Sequence, residues 1–522
     1  MAAAATTTTK RARAGGGSGR DRLSALPDEL LRRVLFFLPS PQVVRTTVLS
    51  RRWMDLWRSV PCIDLNILDF RRRLEVESAG AWEKMKDFTD NLLMLHRAPC
   101  LDAFRLHAFF AGHVETRLID PWVRRAIKDN PLVLQVSVNF TTNPVSFYQL
   151  PHLGPSLRRR LRRLQLTGIS LDHSFAERLH SWWPYLDDLN LYRCCIGFSC
   201  IDSDKLVNLV VTKCTNQPAD VLIIRAPRLA SLKLDIPYSL DAGNCLVRAS
   251  ISLKHHALSA RSEAVLLGSL FSVASFELKG FQTMAVLNEE FDKVPTFDNL
   301  RTLSIDSCFL DNSDVHKFKA LGRFLQKSPN LERLTLIHFE AGVLNVQAAS
   351  PHAGALLDEE FDKVPIFDNL RTLSLDWCFR FKTIGRFLQM FPNLERLTLK
   401  SFMVSRFVEL VEYPKLESLG TLFLEYCDLH DNFGLLRRCL QNSPNLEKLT
   451  VRCCKLSDGT KGGERNGNSK KTYSGSRNLA RCQCPKLKST EIIYYQHANV
   501  SELVRFLLEV AAPKNTITFT YV

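Results

Sequence analysis

The side chains in this sequence that could do chemistry are few and fit no recognised catalytic pattern. Adjacent His255 and His256 would point in opposite directions in a strand, which favours packing or solvated roles. Cys482 and Cys484 form a lone C-x-C pair, without a second pair at zinc-finger spacing. Three acidic pairs could be acid–base dyads but are more typical of solvated surfaces: Asp187–Asp188, Glu289–Glu290 and Glu359–Glu360.

A glycine- and lysine-rich segment at residues 457–476 offers groups that could bind phosphate. However, Asn468 follows Gly467 where a P-loop requires lysine, and no strand directly precedes the segment. The chain also lacks a nucleophile elbow, an HExxH motif, a kinase motif set and a dinucleotide fingerprint. We therefore expect no catalytic residues, cofactor or metal, and a protein that is not an enzyme.

Composition is that of a folded soluble protein, with 45% hydrophobic and 24% charged residues. A chain of 522 residues is too long for one ordinary domain unless it is a solenoid, whose core grows with each repeat. No apolar run is long enough to span a membrane, and residues 1–20 read as a disordered basic tail without a secretory signal. We expect a nuclear or cytoplasmic protein whose 15 cysteines are mostly thiols.

One pattern organises residues 66–456, in which an apolar residue is followed at positions +3 and +5 by two more. Ten clear instances run from Leu161/Leu164/Leu166 to Leu446/Leu449/Val451, and weaker ones are Leu101/Phe104/Leu106, Val133/Val136/Val138 and Val273/Phe276/Leu278. This is the leucine-rich-repeat pattern L-x-x-L-x-L, whose last two positions alternate as in a short strand with one buried face. Segments with helical spacing lie between instances, as at residues 433–445, so we predict strand, turn and helix in series, curled into a horseshoe.

Two further features support stacked repeats. The nineteen residues 291–309 recur at 361–379 with three substitutions, which predicts two neighbouring units made by tandem duplication. Six cysteines stand five residues after the middle leucine, where a small buried side chain is needed as the chain leaves the strand: Cys194, Cys214, Cys308, Cys378, Cys427 and Cys454. Beyond a flexible loop at 457–476, residues 477–522 read as a strand–helix–strand cap.

The amino-terminal segment at residues 21–65 predicts three short helices. Pro27 suits the first turn of a helix on which Leu30, Val34 and Leu38 align at four-residue steps. Ser40 starts a second helix and Ser50 a third, whose apolar stripe is Trp53, Leu56, Trp57 and Val60. By pattern alone, these apolar side chains could be the core of a small helical cap on the repeats.

This segment closely resembles an F-box. It carries the LP-x-E/D-L-L opening at residues 26–31, an L-P break at Leu38–Pro39 and a plant-type VLSRRW…LW ending at residues 48–57. Together with the repeats and the terminal strand–helix–strand, it resembles the plant F-box/leucine-rich-repeat proteins, some of which carry a terminal FBD segment.

The resemblance implies a substrate-recognition subunit of an SCF-type E3 ubiquitin ligase. The F-box would dock on a Skp1-type adaptor, and through it on cullin and RING subunits that recruit the ubiquitin-charged E2. Some of the matching positions must pack internally, and the sequence does not divide them: Leu26, Pro27, Leu30, Val34, Leu38, Val48, Trp53 and Trp57.

A target protein of unknown identity would bind the concave face, on residues that flank the buried strand leucines. Candidates are Arg163, Tyr192, Lys233, Asp306, Arg333, Asp376, Arg396, Lys400, Phe423, Glu425 and Arg452. The alternative is a repeat scaffold without a ubiquitin role, binding nucleic acid or an acidic protein through five arginines at residues 156–166. Because arginines that shield a repeat from aggregation are the commoner case, we expect nucleic acid not to be a partner.

Overall fold

The computed structural model divides the chain into two compact units, Met1–Ile169 and Ser170–Val522. The residues that it describes are 23, 25–71, 79–110, 118–140, 147–151, 160–181, 183–216, 221–241, 245–254, 258–309, 314–339, 366–376, 385, 387–402, 413–429, 433–456, 484–495, 500–511 and 515–521. Several predictions therefore lie outside the described residues: the tail at 1–20, the loop at 457–476, the histidine pair, Glu359–Glu360, Cys378 and Cys482.

Three short helices open the first unit, as predicted: α1 Asp28–Leu35, α2 Ser40–Arg45 and α3 Arg51–Leu56. Single 3₁₀ turns, Thr46–Val48 and Trp57–Ser59, follow the second and third helices. Pro27 and Pro39 hold extended backbone before α1 and α2, which suits a residue that fixes φ and cannot donate a hydrogen bond. Asp28 and Glu29 lie in the first turn of α1, where the helix dipole favours negative charge.

The rest of the first unit is a parallel sheet with two longer helices. Its elements are β1 Cys62–Asn66, a 3₁₀ turn Ile67–Phe70, α4 Ala79–Leu95, β2 Ala103–Phe110, α5 Asp120–Lys128, β3 Val133–Phe140, β4 Tyr148–Gln149 and β5 Arg163–Thr167. The strands β1, β2, β3 and β5 pair in that order. Leu134 and Val136 are the partners of Leu164 and Leu166, so the predicted Val133/Val136/Val138 triplet was wrong in register.

The second unit continues the alternation of strand and connector. After β6, Ile169–Leu171, which spans the boundary, its strands are β7 Asp188–Tyr192, β8 Cys195–Ile196, β9 Cys200–Asp202, β10 Asn208–Thr212, β11 Thr215–Asn216, β12 Leu222–Arg225, β13 Ser231–Leu234, β14 Tyr238–Asp241, β15 Arg248–Ser252, β16 Ser275–Lys279, β17 Thr302–Asp306, β18 Arg333–Ile337, β19 Thr372–Asp376, β20 Arg396–Lys400, β21 Thr421–Glu425, β22 Lys448–Arg452, β23 Ser489–Tyr494 and β24 Thr516–Tyr521. Its helices are α6 His173–Ser181, α7 Ala260–Gly268, α8 Thr283–Leu287, α9 Glu289–Asp292, α10 Asp314–Gln326, α11 Gly434–Gln441 and α12 Ser501–Val510.

Within the described residues, thirteen strands of the second unit form one parallel series in chain order: β7, β10, β13 and then β15 to β24. The leucines of the repeat pattern are its buried positions, as at Leu303 and Ile305, both 0% exposed. The mixed α/β class is thus confirmed, whereas the horseshoe curvature stays a prediction. The two copies of the doubled phrase supply β17 and β19, which both pair with β18, so the prediction that they are neighbours was wrong.

The connectors differ from the expected helices between β7 and β15. There, short strands form two further parallel groups: β8 and β11, which pair in series with the earlier β6, and β9, β12 and β14. In β12, Leu222 and Ile224 are buried while Ile223 is exposed, a period of two that specifies a strand. Helices take over from α7 onward, and α11 buries Leu436 and Leu440 as the helical spacing predicted.

The chain leaves the repeat strands through a left-handed residue, which a buried or half-buried residue follows. Ser307, Tyr426 and Cys453 have φ of 50°, 53° and 47°, and a cysteine follows each of them. The Cys427 thiol lies 3.3 Å from the Leu399 carbonyl of the preceding repeat, and Cys214 lies 3.5 Å from that of Leu191. The predicted packing role is confirmed for the described cysteines of this set.

Candidate binding surfaces

The helices α1–α3 have an interior and an exposed apolar face, and the structure divides the predicted adaptor residues between them. Trp53 and Trp57 are 3% and 7% exposed and lie in the interior with Leu56 and Val60. The whole predicted stripe of the third helix therefore faces inward. Both tryptophans belong to the core that sets the helix arrangement, and they do not present a binding surface.

The exposed face lies on α1, the turn after α2 and α3. Leu30 and Val34 are about half exposed, Pro27 is exposed, and Leu26 and Leu38 are half-buried. Val48 is 85% exposed. Three apolar residues that the sequence reasoning missed are also exposed: Phe37, Leu49 and Met54. Phe37 could have been found, because Leu30, Val34 and Phe37 follow the i, i+4, i+7 spacing of one helix face.

Polar contacts join α1 and α3 without occupying this face. Arg52 on α3 donates through Nε to Asp28 Oδ1 at 2.8 Å and through Nη2 to the Leu26 carbonyl at 2.6 Å. Arg32 on α1 donates to Ser59 Oγ at 3.1 Å. These bonds join the start of α1 to α3 and its end to the turn after α3. The exposed side chains are thereby displayed on a fixed helix pair.

The predicted target residues of the second unit lie on the strand face opposite the buried leucines. In five-residue strands, positions one, three and five point to this side, and the parallel register aligns them into three rows. We call them the first, middle and last rows. Arg333 and Arg396 are in the first row, Phe423 is in the middle row, and the last row contains Asp306, Asp376, Lys400, Glu425 and Arg452.

Charges of the last row are paired with one another or with residues just beyond the strand ends. The Glu425 carboxylate lies 2.9 Å from Lys400 Nζ and 3.4 Å from Arg452 Nε. Asp306 lies 3.1 Å from His338 Nδ1 and 3.5 Å from Lys254 Nζ. Burial alone would raise the pKa of Asp306, but hydrogen bonds from His338 and Ser307 and the nearby ammonium groups outweigh it, so this pKa lies below its ordinary value.

The remaining predicted target residues occupy different settings. Lys233 is exposed on β13, and Phe423 is half-buried between the threonines of its neighbouring strands. The Tyr192 ring lies 5.4 Å from Lys213 Nζ, a cation–π contact. Arg163 lies at the start of β5 in the first unit, so it belongs to a different compact unit from the other ten.

Where the structure describes them, several side chains that were first considered for catalysis or ligand binding make ion pairs or hydrogen bonds within the protein. Glu290 pairs with Lys293 at 3.0 Å and with Arg261 at 3.5 Å, and the Cys484 thiol lies 3.2 Å from the Leu440 carbonyl. From the basic run, Arg160 pairs with Asp102 at 3.1 Å. No group of three His, Cys, Asp or Glu side chains that could hold a metal occurs in the described part of the chain. None of its helices combines the length and hydropathy needed to cross a membrane.

Comparison with known proteins agrees with this geometry. The model of the F-box domain family matches residues 23–64, which contain α1–α3 and the start of β1. The meiotic F-box protein MOF of Oryza sativa subsp. japonica is 31% identical over 356 residues, covering 60% of this chain and 71% of the relative. The F-box/FBD/LRR-repeat protein At1g78750 of Arabidopsis thaliana is 27% identical over 361 residues, covering 60% and 77%.

These similarities carry a coarse functional role. F-box proteins are generally substrate adaptors of SCF-type ubiquitin ligases, and F-box proteins with leucine-rich repeats are typically non-catalytic. The name of the Oryza relative includes an F-box, and that of the Arabidopsis relative includes an F-box, an FBD and leucine-rich repeats. This chain belongs to the F-box/leucine-rich-repeat proteins of plants.

Proposed function

We propose that this chain is the substrate-recognition subunit of an SCF-type ubiquitin ligase, acting in the nucleus, the cytoplasm or both. Its F-box binds a Skp1-type adaptor, and a cullin and a RING subunit join through that adaptor. The repeats curve into a horseshoe whose exposed strand face binds the target protein. The chain itself contributes no catalytic residue, cofactor or metal.

The observation that carries the adaptor interface is the exposed apolar face of the matched F-box. Phe37 and Val48 are 80% and 85% exposed, although side chains of this kind are normally buried. Burying them against an apolar partner removes that surface from water, and truncating one such anchor commonly costs about 2 kcal/mol of binding free energy. In this interface, Leu30, Val34, Phe37, Val48, Leu49 and Met54 contact the adaptor, while Trp53 and Trp57 support them from inside.

In this role the chain promotes ubiquitin transfer by keeping its target close to the E2. The F-box connects the chain to the E2 through the adaptor, and the strand face holds the target, so a lysine of the target stays near the ubiquitin-charged E2. An encounter between separate molecules thereby becomes nearly intramolecular. The chain raises the effective concentration of the target without participating in bond formation.

The adaptor interface is tested with the full chain co-expressed with a plant Skp1-type protein. Phe37→Asp/Val48→Asp places charge on the exposed face without disturbing the core, and we expect co-purification to fail and affinity to fall by about 100-fold or more. Met94→Asp is the matched control, because Met94 is 74% exposed on α4 of the same unit. Retention of the adaptor by the double variant at the affinity of the control would refute the proposal.

A further inference from the structure

The first row of the strand face contains only basic and hydroxyl side chains from β15 to β24. Register places the first residues of these ten strands side by side, and they are Arg248, Ser275, Thr302, Arg333, Thr372, Arg396, Thr421, Lys448, Ser489 and Thr516. The four cations are all exposed. No carboxylate interrupts the row, unlike the middle and last rows of the same face.

The cations of the first row are uncompensated because the neighbouring acids are already paired. Three glutamates immediately precede Arg333, Arg396 and Lys448 in the sequence, and each binds a cation of an adjacent repeat. The pairs are Arg301–Glu332 at 3.8 Å, Arg371–Glu395 at 3.8 Å and Lys488–Glu447 at 2.9 Å. Within the described residues, the side chains of Arg333, Arg396 and Lys448 make no ion pair or hydrogen bond.

The distance between successive cations of the first row indicates the shape of the ligand that would fit it. Arg333, Arg396 and Lys448 lie on every second strand, and adjacent strands are about 4.8 Å apart, so successive cations are roughly 10 Å apart. Threonine hydroxyls from Thr372 and Thr421 alternate with them. A segment in the extended polyproline II conformation advances about 3.1 Å per residue with three residues per turn, so every third side chain lies on one side, about 9 Å from the next, and meets a cation.

The rest of the strand face favours a single extended acidic chain over a nucleic-acid duplex as the ligand. Asp306, Asp376 and Glu425 stand at the far ends of their strands, about 13 Å from the first row. A nucleic-acid duplex laid on this face would extend to the last row, where Lys400 and Arg452 are already paired with Glu425 and are not available to its phosphates. A single extended acidic chain along the first row avoids the last row.

We propose that the first row of β18 to β22 binds an extended segment of the target protein with Asp or Glu at every third position. Arg333, Arg396 and Lys448 pair with these carboxylates, and the threonines between them donate hydrogen bonds to the segment. This inference rests on the proposed function, since it names the chemistry of the target that the repeats recognise.

The test uses the full chain, co-expressed with a plant Skp1-type adaptor, and a fluorescein-labelled peptide of about ten residues with Glu at every third position, separated by Gly and Ser. We compare Arg333→Glu/Arg396→Glu with Lys319→Glu/Arg505→Glu, a control of equal charge change at exposed positions on α10 and α12. Fluorescence anisotropy should show the first variant binding at least about tenfold more weakly than the native chain, and the control nearly unchanged. A peptide with the same residues but its glutamates clustered at one end should bind the native chain more weakly than the spaced peptide.

Three results would overturn the inference: no peptide binding by the native chain, an equal loss in both variants, or tighter binding of an equally charged single-stranded DNA with the same dependence on Arg333 and Arg396. The same preparations report separately on the proposed function. Both charge variants should retain the adaptor, because the changed residues lie in the second unit and the F-box in the first. Loss of adaptor binding by the native chain, with peptide binding intact, would refute the ligase role and leave the peptide site standing.

Discussion

At the residue scale, side-chain type does not decide function in the F-box, because its interior and its exposed face are both apolar. Trp53 and Trp57 match the family ending but are buried, whereas Phe37 precedes the L-P break and is largely exposed. Large aromatic residues serve as core in one case and as surface in the other. Substituting a buried tryptophan should therefore reduce stability, whereas substituting Phe37 should reduce adaptor binding.

We predict opposite profiles for Trp53→Ala and Phe37→Ala. Trp53→Ala should lower the free energy of unfolding of the first unit by about 3–5 kcal/mol, because it opens a cavity among α1–α3. Phe37→Ala should change it by no more than about 0.5 kcal/mol and should still weaken adaptor binding. Denaturant unfolding followed by circular dichroism, together with adaptor titration, measures both. Equal destabilisation by the two substitutions would contradict the assignment.

His96 gives a pH-dependent prediction for the first unit. It is buried after α4 with Nε2 2.8 Å from the Val60 carbonyl, and burial lowers its pKa although this hydrogen bond opposes the shift. Because the unfolded state takes up a proton near pH 6.5 and the folded state resists it, the stabilisation is present above that pH and is lost as pH falls below it. His96→Gln should unfold with a weaker pH dependence between about pH 6.5 and 5. An unchanged dependence would show that other groups, such as the half-buried His107, whose pKa is also lowered by burial, account for it.

At the element scale, four of the later repeats are each tied to the repeat before by an asparagine just ahead of the first leucine. Asn330 donates to the Asp298 carbonyl at 2.9 Å, Asn369 to that of Pro329 at 2.9 Å and Asn393 to that of Asp368 at 3.0 Å. Asn445 does the same toward Glu417 at 2.7 Å. These bonds satisfy carbonyls at the strand entrance, while the cysteines do so at the strand exit.

We predict that Asn393→Ala lowers the free energy of unfolding of the second unit by about 1 kcal/mol, since it removes one inter-repeat hydrogen bond. Asn91→Ala is the control, because Asn91 also donates to a carbonyl, that of Asp87 at 2.7 Å, but within one exposed helix. Chemical denaturation of both variants measures the difference. Equal effects would mean that the asparagine series does not join the repeats.

The sequence predicts most repeat strands because leucines at fixed +3 and +5 spacing leave one register. It missed β15, where Ala249 replaces the middle leucine, and it misplaced the β3 triplet because two apolar pairs offset by two residues fit equally well. The short connecting strands were also missed, since short apolar runs do not distinguish strand from helix. For the F-box, the spacing of apolar residues predicted the helices but not which side of each helix faces inward, because that depends on how α1 and α3 pack.

At the scale of the whole molecule, the proposed function combines two roles in one chain: adaptor binding by the first unit and target selection by the second. The parallel series of strands allows target contacts to vary residue by residue on the exposed face, while the buried leucines maintain the stack. Glu425 and Asp306 of the last row are held in ion pairs, whereas Arg333, Arg396 and Lys448 of the first row are available to a partner. Binding specificity is thus separable from folding.

Hydrogen–deuterium exchange of the full chain, with and without a Skp1-type adaptor, tests the central claim most directly. We expect adaptor binding to slow exchange in residues 28–59, which contain α1–α3, and to leave exchange in β15 to β22 unchanged. Protection confined to the repeats, or no protection in α1–α3 at saturating adaptor, would contradict it.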